Sequence, residues 1–168
     1  MKHILSVTVS NQPAVLARIS GLFSRRNFNI LSLNVGETEK PEFSRMTIVV
    51  EGDDRTLEQV KKQLYKLIDV IKVTELNQAN MVERDMALIK VNCNKNMRTQ
   101  LIQVVNVFRG KIVDLSPETV TIEVTGDESK INALIELLKD FGIKEVVRTG
   151  IVALDRELSS SSTTKVKN

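Results

Sequence analysis

Histidine, cysteine and tryptophan are nearly missing from this 168-residue chain, which has one, one and none of them. His3 sits near the amino terminus on a strand-like stretch, and Cys93 falls inside the apolar alternation Ala87, Ile89, Val91, Cys93. No zinc-type cluster, Cys–His pair or Ser–His–Asp set can be assembled from these residues, and no metal site is expected. Cys93 reads as a buried strand residue in a reducing compartment. No apolar run approaches 18 residues, and no charged start leads into a long apolar stretch. Neither a membrane span nor a signal peptide is therefore expected, and the expected location is the cytoplasm.

Phosphate-binding glycine motifs of the GxGxxG and GxxxxGK[ST] types are absent as well. Lys and Arg number 24 against 21 Asp and Glu, and the signs are interspersed. A net charge of +3 without a basic stripe argues against nucleic acid as a partner. Hydrophobic residues make up 42%, enough to build the core of one large domain or two small ones.

What is present centres on residues 11–30. Before them, Leu5, Val7 and Val9 share one face of a strand; after them, Leu31, Leu33 and Val35 alternate again. Between, Val15, Leu16, Ile19, Leu22 and Phe23 form one helical stripe. Asn11 is placed to cap this helix and Pro13 suits its first position. The free N–H groups of such a helix end, with the positive end of its dipole, can take a carboxylate or phosphate. Capping by Asn11 alone accounts for the same residues, because every helix has such an end.

Further on, Ser44–Glu51 reads as a strand, Gly52-Asp53-Asp54 as a corner, and Leu57, Val60, Leu64 and Leu67 as a second helix. Val70–Leu76 is a fourth strand. This order is the split βαββαβ arrangement of a ferredoxin-like sandwich, an α+β fold. The acidic corner could be a metal-binding pair, but its recurrence as Gly126-Asp127-Glu128 favours helix capping. Such a sheet can also bind RNA, which needs aromatic residues on its central strands; Ser44–Val50 has none.

The pattern then repeats. Asp85–Cys93 reads as a strand, and Met97, Leu101, Val104, Val105 and Phe108 as a helix capped by Asn96 and stopped by Gly110. Lys111–Leu115 and Thr119–Thr125 form a hairpin around Pro117. Ile131, Leu134, Leu138 and Phe141 mark a last helix, 74 residues after its counterpart, and one strand follows from Ile143 to about Leu154. The expected division is 1–77, a linker over 78–84, a second ferredoxin-like domain over 85–154, and a disordered Ser/Thr/Lys-rich tail over 155–168. The second half has no equivalent of the Asn11 turn, so a small anion would bind the first.

Several stretches together resemble a known family: Ile4-Leu5-Ser6-Val7, Asn11, Leu16-Ala17-Arg18-Ile19, Gly21-Leu22-Phe23-Ser24-Arg25-Arg26, Phe28-Asn29-Ile30, Ser32-Leu33, Ser44-Arg45-Met46-Thr47-Ile48, Glu83-Arg84 and Phe108-Arg109-Gly110. They resemble the regulatory (small) subunits of acetohydroxyacid synthase, also called acetolactate synthase. The amino-terminal stretch is similar to an ACT domain, a small-molecule sensing module. The resemblance implies a subunit without activity of its own that binds and activates a catalytic large subunit. It implies feedback inhibition by valine or another branched-chain amino acid. No cofactor is expected on this chain; thiamine diphosphate and Mg, with or without FAD, belong to the catalytic partner.

The resemblance also implies a homodimer through the ACT domain with the effector between protomers. One wall would be Asn11 with the backbone of Gln12, Pro13, Ala14, Val15 and Leu16, and the other Asn29 and Ile30 of the neighbouring protomer. Helix amides would take the carboxylate, asparagine oxygens the ammonium, and Ile30 with Val15 or Val35 the branched side chain. Two positions depart from the family pattern, which commonly has glycine at Ala14 and at Asn27. The alternative classes are a stand-alone ACT-type amino-acid sensor or transcriptional regulator, for which no helix-turn-helix segment is found, and a ferredoxin-like enzyme.

Overall fold

The alternating strands and single-stripe helices of the first half close into one layered unit. In the computed structural model, which describes residues 1–156, they are β1 (Lys2–Ser10), α1 (Val15–Arg25), β2 (Ile30–Glu37), β3 (Phe43–Glu51), α2 (Asp54–Leu64) and β4 (Val70–Leu76). The sheet is antiparallel in the order β2-β3-β1-β4, so β1 and β3 are the inner strands. Both helices cover one face, and Leu5, Val7, Met46, Ile48 and Val50 meet Ile19, Phe23, Val60 and Leu64 in the core.

The second half repeats this plan with β5 (Met81–Asn92), α3 (Arg98–Val107), β6 (Lys111–Leu115), β7 (Thr119–Gly126), α4 (Glu128–Leu138), β8 (Ile143–Arg148) and β9 (Val152–Asp155). Its sheet runs β6-β7-β5-β8, with β9 also paired to β5. Ala87, Ile89, Val91, Cys93, Val120 and Ile122 pack under Leu101, Val105, Ile131, Leu134 and Leu138. The acidic corners cap their helices: Asp53 Oδ1 accepts from Thr56 N–H at 2.7 Å, and Asp127 Oδ1 from Lys130 N–H at 2.8 Å.

The junction differs from the expected linker. Residues 78–80 form a single 3-10 turn, and Met81–Arg84 are the first third of a twelve-residue β5. These four residues pair with β9, whereas Asp85–Asn92 pair with β7. The polar residues that read as a linker belong to a strand: Glu83 lies half-buried on the same face as Met81, and Arg84 is exposed on the other face of that strand. Its inward residue Met81 joins Ile151 and Ala153 against Ile4, Val49 and Leu76, on the face of the first sheet that no helix covers. The ends of the second half differ too. Asp155 belongs to β9, and Arg156 donates its backbone N–H to Asn80 O at 2.8 Å, so neither is tail. The remainder of the expected tail, 157–168, lies outside the described residues.

The single strand expected over Ile143–Leu154 is interrupted. Arg148 faces Ala87 and Val152 faces Arg84, so three residues, Thr149 to Ile151, stand opposite two on β5. This is a β-bulge, with Gly150 at φ +80° where side chains are disfavoured. Asp85, fully buried beside it, is paired with Arg148, whose Nε donates to Asp85 Oδ2 at 2.7 Å and whose Nη1 donates to Asn132 Oδ1 of α4 at 3.0 Å.

Two local expectations are corrected by the geometry at the helix ends. Asn96 does not cap α3, whose boundary residue Met97 gives no side-chain cap; Asn94 Oδ1 instead closes the turn before the helix, accepting from the N–H groups of Asn96 and Met97. At the other end of α3 the left-handed residue is Arg109, φ +52°, rather than Gly110. Arg109 N–H reaches Asn106 O and Gly110 N–H reaches Val105 O, a Schellman closure. Gly110 is small for another reason: a β-carbon there would meet Val105 Cγ1 at 3.1 Å and Glu123 O at 3.2 Å. At α1 the same closure falls on Asn27, φ +56°, and Phe28 N–H returns to Phe23 O with the two rings edge to face. There asparagine serves the left-handed stop, as expected.

Hydrogen bonding to Thr56 holds the Asp53 carboxyl below its ordinary range, and the Lys130 amide does the same for Asp127. A depressed carboxyl contributes stability above its unfolded pKa, near 4, and loses it as pH falls through the folded value. Asp127→Ala is therefore expected to melt below the parent at pH 7, with the gap closing as pH is lowered toward about 2 in thermal scans. Arg148→Ala strands the buried Asp85 carboxylate and is expected to cost about 3 kcal/mol in urea unfolding, the low end for a broken buried pair because Arg148 reaches solvent.

Candidate functional site

In the turn between β1 and α1, Asn11 is not the helix cap. Helix α1 starts at Val15 behind Ala14, which is left-handed at φ +66° and gives no side-chain cap. Pro13 lies in the preceding turn, so it is not the first helical residue. Among the described residues, the exposed N–H groups of Leu16 and Ala17 have no protein acceptor; their partners four residues back would be Gln12 and Pro13, which the turn leads away. These two donors lie at the positive end of the helix dipole.

Asn11 is fixed from the other side. Its backbone N–H donates to Glu42 O at 2.8 Å, and its side-chain Nδ2 to Pro41 O at 2.8 Å and Glu37 Oε1 at 3.1 Å. These acceptors hold the amide, and among the described residues Oδ1 has no donor. Glu37 and the carbonyls of the β2–β3 loop were not foreseen, because nothing in their spacing marks a contact 26 to 31 residues away. Arg18 braces the turn: its Nε donates to Asp69 Oδ2 at 2.7 Å, and Asp69 O accepts from Ser10 N–H.

The expected site residues fall into two groups. Asn11, Gln12, Pro13, Ala14 and Leu16 cluster at the start of α1, and Val35 lies at the same end of the sheet, two residues before Glu37. Val15 belongs to the core beneath the helix and presents its backbone only. Asn29 and Ile30 lie at the far end of α1, about 16 Å along its axis, where they line a shallow hollow of about 430 Å³ with Phe23, Ser24 and Phe28. One chain does not bring the two groups together.

A larger hollow of about 730 Å³ separates the halves. Its charges oppose one another: Lys2 Nζ meets Glu128 Oε1 at 2.6 Å, and Arg84 and Arg156 stand among Glu83, Asp127 and Glu128. Burial, then the Asp127 and Glu128 carboxylates, push the Glu83 carboxyl up. Such a lining joins two halves rather than concentrating one sign of charge on a ligand. Among the described residues no three His, Cys, Asp or Glu side chains converge as metal ligands, and no helix is long and apolar enough to cross a membrane.

A ferredoxin-like sheet with an open donor turn at its first helix defines an ACT-type module, and residues 5–72 match the family described as AHAS small subunit-like ACT domain. Residues 84–157 match the small subunit of acetolactate synthase. A probable acetolactate synthase small subunit of Methanothermobacter thermautotrophicus is 54% identical over 155 residues, 92% of each chain. The acetolactate synthase small subunit of Aquifex aeolicus is 55% identical over 159 residues, covering 94% of this chain and 83% of that one. The crystal structure of the acetolactate synthase small subunit from Thermotoga maritima superposes with a TM-score of 0.87 at 48% identity, over 93% of this chain and 98% of that one. The chain belongs to the family of acetolactate synthase small subunits, the regulatory subunits of acetohydroxyacid synthase.

Ala14 tests the turn directly. A β-carbon in the left-handed region is strained, so Ala14→Gly is expected to stabilise the chain by about 0.5–1 kcal/mol, measured as a higher urea midpoint with unchanged slope.

Proposed function

We propose that this chain is a non-catalytic regulatory subunit that binds a catalytic large subunit, raises its activity, and makes it subject to feedback inhibition by valine or a related branched-chain amino acid. Thiamine diphosphate, Mg and any FAD belong in this reading to the catalytic partner. The observation that carries it is that, among the described residues of one turn, the amides of Leu16 and Ala17 lack acceptors and the Asn11 oxygen lacks a donor, the first suited to a carboxylate and the second to an ammonium.

Dimerisation supplies the other wall. β2 is an edge strand, and along it the Ile30 end lies with Asn29 and the Glu37 end with Asn11. Two copies paired antiparallel through their β2 edges exchange these ends, which brings Asn29 and Ile30 of one protomer toward the Asn11 turn of the other. Inhibition then requires valine to bind the inhibited arrangement more tightly than the active one, a coupling typically of about 1–3 kcal/mol.

Thermal unfolding of the chain with each of the twenty amino acids tests the reading. A ligand at 100 times its dissociation constant stabilises by about 2.7 kcal/mol. Valine or a close relative alone is expected to raise the midpoint, and Asn11→Ala and Asn29→Ala to abolish the rise; no shift with any amino acid would sink the effector site.

A further inference from the structure

β2 has two faces with different duties. Ile30, Leu33 and Val35 stand opposite Val50, Ile48 and Met46 on the helix-covered face. Ser32 and Asn34, opposite Val49 and Thr47, point the other way and reach the second half of the chain. Ser32 Oγ accepts from Ile151 N–H at 3.2 Å, and Asn34 Nδ2 donates to Thr149 O at 3.3 Å. Both partner groups belong to the bulge between β8 and β9. Gly150 between them approaches so closely that a β-carbon on it would overlap Ser32 Oγ, and its φ of +80° disfavours one anyway.

The bulge is held as firmly from behind. Thr149 N–H donates to Met86 O at 3.0 Å and its Oγ1 accepts from Met86 N–H at 3.1 Å. Next to it, Arg148 ties the buried Asp85 to Asn132 of α4. The apolar contacts of the junction rest on Ile4, Val49 and Leu76, which lie on β1, β3 and β4. Apolar packing of that kind is non-directional and gives cohesion, whereas the two hydrogen bonds and the glycine contact fix the position of β2 itself.

We infer that Ser32, Asn34 and Gly150 are the positioning residues through which an occupant of the first half's effector site is felt by the second half. The inference rests on the effector reading given above. An occupant pressing on Ile30 or Val35 displaces a strand whose opposite face is bonded to the bulge. The bulge in turn is bonded to β5 and α4, so the displacement is transmitted rather than absorbed.

The test uses the complex with the catalytic subunit and valine as the probe. Wild-type chain is first shown by thermal shift to bind valine; if it does not, the effector reading fails and this inference falls with it. Ser32→Ala and the milder Asn34→Ala are then expected to bind valine within threefold of wild type while inhibition of the complex weakens at least tenfold. Hydrogen exchange adds a readout that a purely structural role would not move. Valine is expected to slow exchange at residues 149–152 in the wild-type chain and not in Ser32→Ala, with residues 30–35 slowed in both. Wild-type inhibition in both variants, or loss of binding together with inhibition, would overturn the assignment while leaving the effector site standing.

Discussion

A four-stranded sheet with both helices on one face leaves the other face bare, and everything else in this molecule depends on how that face is covered. Ile4, Val49 and Leu76 point out of it and are nonetheless buried, because Met81, Ile151 and Ala153 are laid across them. Thr47 on the same face is buried for the same reason. The covering ribbon is made by extending β5 backwards beyond its own sheet and pairing the extension with β9. The second half therefore cannot take an arbitrary place beside the first; its longest strand is shared between its own core and the junction.

That sharing explains the irregular backbone at the corner. A strand that serves two surfaces must change partners, and it does so at Arg84 and Asp85. The extra residue on the opposing strand absorbs the change, Gly150 supplies the conformation, and the buried Asp85–Arg148 pair sits where the ladder is broken. A buried ion pair is weak evidence for stability, since desolvation opposes its Coulomb attraction. Here its directional bonds fix the geometry of a corner that apolar packing alone would leave loose.

The site follows from the same economy of parts. In α1 the left-handed Ala14 starts the helix without a side-chain cap, and among the described residues the amides of Leu16 and Ala17 have no acceptor. Asn11, the residue best suited to cap them, donates instead to Glu37 and Pro41, and among the described residues its oxygen has no partner. The turn lies within residues 5–72, which match the small-subunit ACT-domain family.

Most of the fold was legible in the sequence. The two βαββαβ orders, the helix stripes, the caps at Asp53 and Asp127 and the left-handed Asn27 all depend on residues within one or two turns of each other, where period and capping chemistry act. Of the candidate site, the sequence singled out the Asn11 turn and, through resemblance, Asn29 and Ile30. Tertiary structure alone decided the rest: that residues 81–84 are strand and not linker, that Arg109 takes the left-handed position while Gly110 makes room for β7, and that Asn11 is bonded to the β2–β3 loop. Each of those outcomes turns on a contact between groups distant in the chain or on which face a neighbouring layer covers. Local spacing cannot encode a partner that is brought into place only when both sheets have formed.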